Sequence, residues 1–257
     1  MRASEKPDLL AEPQQRAKGN VLIIGSAPDA MRAKTLDMSA FRAVVAINNA
    51  WQVTERWSHA IHPSDFPLER RPIARIGQSL HSAEDYVPTV NRYGGFVYSG
   101  GTMAFTAAYW ALCRLSPRSI VFLGCDMVYD AAQTHFYGNG RPDPLRQDPT
   151  LRSLEAKSAR FEIFARQAGC RVVNLSEQPV SRLVHRRQSV ENLQVNNFGA
   201  TQPIDWVKVA RATAREARLG YTVASGKYWK EQQRFEVSEI DALDALWLSA
   251  LPGHIRA

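Results

Sequence analysis

The residues able to do chemistry in this 257-residue chain gather where apolar runs stop. Gly25 and Ser26 follow Val21–Ile24, and Asn48 and Asn49 follow Ala43–Ile47. His62 follows Ser58–Ile61, and Asp126 ends the strongest apolar run, Ile120–Leu123. Ser99, Gly100 and Thr102 belong to a Ser-Gly-Gly-Thr sequence that opens a long apolar stretch. His135 lies in a glycine-bounded loop with Tyr129, Tyr137 and Asn139 close by.

Each of these types suits a polar, anionic ligand. A small residue in a tight turn at a helix start presents backbone N–H groups to phosphate, which Gly25 and Ser26 could do. The Asn48 and Asn49 amides could bond a base edge or a phosphate oxygen. The hydroxyls and N–H groups around Ser99, Gly100 and Thr102 form a receptor for carboxylate or phosphate. A carboxylate at Asp126 could accept from ribose hydroxyls or orient a catalytic group. An imidazole titrating near pH ~6.5 at His135 could take a proton from a hydroxyl nucleophile at neutral pH. Structural duties compete at every position: a turn at Gly25, capping at Asn48, close helix packing at Gly100, solvation at His135.

Some chemistries lack their signatures. Neither G-x-G-x-x-G nor G-K-[ST] occurs, so a dinucleotide fingerprint and a Walker loop are both unsupported. Asp126 and Asp130 stand four apart, a poor spacing for a divalent-metal pair, and no metal site is expected.

The elements that must position these residues follow from periodicity. Short continuous apolar runs closed by Gly or polar residues read as parallel strands buried on both faces. Pro28 suits the first turn of a helix, with Ser26 as its cap. Phe96–Tyr98 is read as arriving at the same sheet edge, ahead of a helix beginning M-A-F-T-A-A-Y-W-A-L-C that is apolar nearly all round. A helix is expected from about 149 to 169 and a last strand over Arg171–Leu175, while 67–93 reads as mixed loop and short helix. Alternating strands and helices predict an α/β fold, a Rossmann-like, doubly wound and mostly parallel sheet, which binds ligands outside the carboxyl strand ends. Residues 1–18 read as a flexible lead-in, 19–200 as the nucleotide-binding α/β domain, and 201–257 as a helical C-terminal extension. That extension holds amphipathic helices at Trp206–Leu219 and Ile240–Leu251, with Trp206, Tyr228 and Trp229 expected to pack on the core.

Composition narrows the partners. The 32 basic against 25 acidic residues, net +7, favour anions. The arginines are scattered rather than interleaved with aromatics in a basic run, which argues against a nucleic-acid module. No leader or membrane span is legible, so a cytoplasmic protein is expected. The three cysteines read as buried free thiols.

Seven motifs, in order over roughly residues 20 to 185, carry a resemblance. They are V-L-I-I-G-S-A-P, A-I-N-N-A-W, H-P-S, Y-S-G-G-T-M, I-V-F-L-G-C-D-M, H-F-Y-G and V-V-N-L-S-E-Q-P-V-S-R-L. Together they resemble the small bacterial sialyltransferases that use CMP-sialic acid, and the 6-hydroxymethylpterin pyrophosphokinase-like group of similar core fold. The resemblance implies Gly25 and Ser26 near the nucleotide phosphate and Asn48 on the nucleotide near the reacting centre. It also implies Ser99 and Gly100 on the donor's carboxylate or nucleotide, Asp126 on the nucleotide moiety, and His135 as general base. Tyr129 and Tyr137 are loose counterparts of two tyrosines that stabilise the leaving phosphate, and His62 stands where the family tends to have asparagine. The chain departs from the family at Ser26, usually asparagine, and at Val97, where an arginine is expected; the segment from Asp126 to His135 is short. The implied activity is a metal-independent glycosyltransferase with a nucleotide-activated, CMP-linked donor as substrate, no cofactor, and a glycan or glycolipid acceptor. Two rivals stand beside it: a pterin pyrophosphokinase-like phosphoryl transferase needing ATP and magnesium, and a non-catalytic nucleotide- or polyanion-binding protein. Peripheral membrane contact and a homo-oligomer stay open.

Overall fold

The computed structural model describes residues 19–129, 134–138, 148–194, 198–199 and 201–253. The lead-in 1–18, Asp130 and Asn139 lie outside the described residues. The strands are β1 (Asn20–Ile24), β2 (Ala43–Ile47), β3 (His59–Ile61), β4 (Ser79–His81), β5 (Ser119–Leu123), β6 (Arg171–Asn174) and β7 (Arg186–Arg187). They form one sheet in the order β4-β3-β2-β1-β5-β6-β7, with every pairing parallel. The fold is the expected α/β, Rossmann-like, doubly wound sheet.

Every residue of β1, β2 and β5 is buried, so both faces need apolar cover. Successive side chains supply it by alternating. Val21, Ile23, Val45 and Phe122 meet helices α1 (Ala83–Arg92), α3 (Met103–Leu115) and α4 (Leu154–Gln167) on one side, with the single turn α2 (Phe96–Ser99) leading into α3. Leu22, Ile24, Val44 and Val121 meet three short 3₁₀ helices, at Pro28–Lys34, Met38–Ala40 and Asn48–Gln52, together with α5 (Val190–Gln194). Residues 104 to 112 of α3 are all buried, as an all-round apolar helix demands.

The structure departs from the sequence reading in several places. Pro28 does open the helix after Gly25, but Ala27 is the cap residue, without a side-chain hydrogen bond, and Ser26 caps nothing. Phe96–Tyr98 is no strand: it lies within α2, between Gly95 at φ 87° and Gly100 at φ 92°, conformations that glycine reaches without a Cβ penalty. Strands β4 and β7 and the ten-residue α1 occupy stretches that carried no clear signal.

Helices α6 (Trp206–Leu219) and α7 (Val237–Ser249) form the C-terminal layer and pack on α4 through a third apolar cluster that includes Ile163, Val209, Leu243 and Trp247. Two ion pairs run through that contact. Lys157 Nζ lies 2.7 Å from Asp244 Oδ1 and also donates to the Val97 carbonyl at 3.1 Å. Arg160, 1% exposed, donates to both Glu216 oxygens at 2.7 and 2.8 Å, to the Tyr109 hydroxyl at 2.7 Å and to the Tyr93 carbonyl at 2.6 Å. Trp247 Nε1 adds a second donor to Glu216 Oε1 at 2.7 Å. Tyr228 is buried as expected, but Trp206 and Trp229 are half-exposed and only flank the core. Cys125 and Cys170 are buried free thiols; Cys113 is partly exposed. Among the described residues, no helix is long and apolar enough to cross a membrane.

A buried guanidinium whose carboxylate is removed keeps its charge and loses its compensation. Glu216→Gln is therefore expected to cost about 3–5 kcal/mol in urea unfolding; a loss below about 1 kcal/mol would show that Arg160 is satisfied without the pair.

Candidate functional site

The strand order reverses between β1 and β5, and the ligand crevice of a doubly wound sheet lies outside the carboxyl ends of such a pair. Two glycines let the loops there close on each other. Gly25 N donates to Leu123 O and Ala27 N to Gly124 O, both at 2.9 Å. A Cβ on Gly25 would overlap the Gly124 carbonyl oxygen and come within 2.7 Å of Cys125 Sγ. Gly124 sits at φ +66°, and a Cβ there would lie 2.6 Å from that of Ala30. Gly25 thus serves loop packing at the crevice floor.

A cleft of about 730 Å³ opens at this point. It brings together Gly25, Ser26, Asn48, Thr102, Tyr129, His135 and Tyr137 from the sequence-derived set. The 3₁₀ helix after Gly25 is only seven residues long, and the Gly25 and Ala27 N–H groups ahead of it are already bonded, so the phosphate-binding helix terminus expected there is reduced to a loop around Ser26. Asn48 holds φ 51°, the left-handed region that asparagine tolerates best after glycine, and its Oδ1 has no partner among the described residues. Thr102 caps α3, its hydroxyl accepting from Phe105 N at 3.3 Å.

His135 is carried by a tight turn. His135 N donates to Gly138 O at 3.2 Å and Gly138 N returns to His135 O at 3.1 Å. The turn is tied to the first loop by Phe136 N donating to Ser26 O at 2.9 Å, so the imidazole is fixed relative to Gly25. Tyr137 stacks on the imidazole at 4.9 Å between ring centres, Tyr129 lies tilted at 6.1 Å, and the Thr134 hydroxyl is 2.8 Å from Nδ1. Burial holds the imidazole below its ordinary value of 6.5, which favours the neutral ring at physiological pH.

Five expected site residues face elsewhere. Asn49 is buried and does not line the cleft. His62 is a satisfied interior histidine: its Nδ1 lies 3.0 Å from the Pro63 carbonyl and its ring stacks on Phe66 at 5.4 Å. Ser99 is 1% exposed inside the α2 turn, and Gly100 packs on Phe105 and Lys157, so neither can receive a carboxylate from the cleft. Asp126 turns away from its neighbour Cys125, which does line the cleft. The Asp126 carboxyl is raised chiefly by burial, against the lowering effect of the Ser176 and Ser181 hydroxyls, with Asp29 adding to the rise.

The sequence reading missed one further wall of the cleft. Residues 225–229 and Gln232, from the segment joining α6 to α7, complete the cleft, with Lys227 and the half-exposed Trp229 among them. This wall is anchored by the Tyr228 hydroxyl donating to Asp148 Oδ2 at 2.9 Å. The other Asp148 oxygen accepts from Thr150 N and Oγ1 at 2.8 and 2.6 Å. Gly101 makes the approach feasible, since a Cβ there would overlap Thr150 Oγ1 and lie 3.0 Å from the Tyr228 hydroxyl. The Tyr-Trp pair was the available signal, but nothing in the sequence pointed it at the sheet edge. Among the described residues no three His, Cys, Asp or Glu side chains converge as a metal site.

Comparison with protein-family models, curated proteins and solved structures gave no match for this chain.

Overpacking where two loops touch costs about 1–3 kcal/mol. Gly25→Ala is expected to lose that much and to lower the thermal midpoint followed by circular dichroism, while Ser26→Ala stays within about 0.5 kcal/mol. Equal midpoints for both variants would mean that the contact of Gly25 with Gly124 does not shape the crevice.

Proposed function

We propose that this chain is a glycosyltransferase that moves a sugar from a nucleotide-activated donor to an acceptor hydroxyl, with His135 as general base. The observation that carries the reading is the His135 imidazole at the switch-point cleft, fixed to the first loop through Phe136 and Ser26 and flanked by Tyr129 and Tyr137. The cleft, at about 730 Å³, is within the range of small-molecule and cofactor sites. Lys227 supplies a cation on that further wall and Trp229 an aromatic face for a sugar or base.

In this reading the donor's phosphate lies over Ser26, whose N–H and hydroxyl are the loop's donors because the Gly25 and Ala27 N–H groups are taken by Leu123 and Gly124, with Lys227 as the cation. Thr134 Oγ1 lies 2.8 Å from His135 Nδ1, and in the tautomer that carries the proton on Nδ1 the basic atom is Nε2. Nε2 takes the hydroxyl proton as the acceptor oxygen bonds to the anomeric carbon. The bond from that carbon to the phosphate oxygen breaks, its electron pair leaves with the nucleotide, and the Tyr137 hydroxyl stabilises the departing oxygen. Asn48 presents a buried amide oxygen to a donor N–H or hydroxyl on the nucleotide. No metal is required by these steps. A CMP-linked sugar as donor and a glycan or glycolipid as acceptor rest on the sequence resemblance; Ser99 and Gly100, implied on the donor's carboxylate or nucleotide, and Asp126, implied on the nucleotide, do not line the cleft.

His135→Ala is expected to abolish transfer while nucleotide affinity, measured by calorimetry, is retained. In the parent protein the acidic limb of the rate profile should fall below pH 6.5, because burial depresses the imidazole and activity is lost only as the ring protonates. Full transfer by His135→Ala would overturn the mechanism. Titration with CMP, UMP, AMP and GMP, with and without magnesium, tests the donor. Magnesium-free CMP binding supports the CMP-linked donor, preference for another nucleotide corrects it, and magnesium-dependent ATP consumption with a pterin, or no nucleotide binding at all, overturns the reading.

A further inference from the structure

A second cavity, of about 210 Å³, lies at the other end and edge of the sheet, where β6 and β7 begin. Strand β7 pairs only with Val173 and Asn174, so the first half of β6, paired with β5 on one side, has no strand on the other, and the cavity is lined by residues of that open edge. Its walls carry three guanidinium groups: Arg166 from the last turn of α4, Arg171 at the start of β6 and Arg186 at the start of β7. Phe198, Val172 and Val173 give it an apolar floor.

The charges are unbalanced. Arg171 makes no ion pair among the described residues, and its guanidinium carbon sits 5.0 Å from the Phe198 ring centre, a stacking that holds the fork while leaving its N–H edges available. Arg166 donates to the Gln202 carbonyl at 2.7 Å and stands 4.0 Å from Glu162, the one carboxylate among the described residues of the wall. The other oxygen of Glu162 is 2.9 Å from His185 Nδ1, so that carboxylate is shared between partners. Arg186 is cradled by Gly199 at φ +63°, where a Cβ would lie 2.7 Å from the guanidinium carbon. The loop is thus shaped around a guanidinium at the cavity.

We propose that this cavity is a second, anion-binding site that takes a small phosphorylated molecule, independent of the nucleotide cleft. Planar guanidinium forks match phosphate oxygens in pairs, and Arg171, without an ion pair among the described residues, beside Arg166, whose carboxylate is shared with His185, gives the cavity a positive field that suits an anion. The volume equals on the order of seven waters of liquid, room for a phosphate on a short carbon skeleton and too confined for the run of phosphates of a nucleic acid.

Inorganic pyrophosphate is the probe, titrated calorimetrically into the full chain and into Lys227→Ala, which changes only the cleft. Pyrophosphate binding that survives Lys227→Ala and weakens at least about tenfold in Arg171→Ala, with CMP affinity unchanged, is the expected result. Arg171→Lys, which keeps the charge and loses the fork, should recover only part of the affinity; Arg171 is exposed, so both variants should unfold at the parent midpoint. Pyrophosphate affinity unchanged by Arg171→Ala, or lost in Lys227→Ala, would overturn the site. A duplex oligonucleotide that binds more tightly than pyrophosphate, with an affinity that Arg171→Ala reduces, would overturn the assignment to a small ligand.

Discussion

A guanidinium cannot lose its proton and cannot sit unpaired in an apolar interior, and Arg160 places this demand at the meeting point of five helices. Its nitrogens fix the end of α1 through the Tyr93 carbonyl, α3 through Tyr109 and α6 through Glu216, and Glu216 in turn takes the indole N–H of α7. Arg160 stands on α4, and Lys157, three residues earlier on the same helix, reaches the α2 turn and α7. The C-terminal layer is therefore registered against the sheet by directional, charge-assisted bonds, where an apolar contact alone would allow sliding. That register delivers residues 225–232 to the mouth of the crevice.

The strands that were legible are those that bury both faces. β1, β2 and β5 carry five consecutive buried positions, and no other local arrangement of Val, Leu and Ile of that length ends so abruptly in glycine or amide. β4 and β7 gave no such signal because they are edge strands of three and two residues, Ser-Leu-His and Arg-Arg, held by backbone bonds from their neighbours. Phe96–Tyr98 misled because an apolar triplet before Ser-Gly-Gly fits a strand end as well as a helical turn. Only the positive φ values of Gly95 and Gly100 decide between them, and glycine does not announce its φ.

The same limit divides the candidate site. A polar residue after a strand marks the correct end of the sheet but not the side to which it turns. Cys125 and Asp126 are adjacent, and one lines the cleft while the other is buried outside it. Asn48 and Asn49 separate in the same way, and Ser99 is withdrawn into α2. The far wall was illegible for a different reason: Tyr228 and Asp148 meet across 80 residues, and their contact depends on where α6 and α7 dock rather than on any local pattern.

That long separation also orders the molecule's assembly. All seven strands precede residue 188 in the chain, so the sheet can form during synthesis before the segment carrying Lys227, Tyr228 and Trp229 has been made. Until that segment arrives, the crevice is a three-sided trough with apolar side chains of α2 and α4 uncovered. A nascent chain at this stage carries exposed apolar surface and a cleft that lacks one wall, so the last roughly 50 residues complete the core and the crevice together.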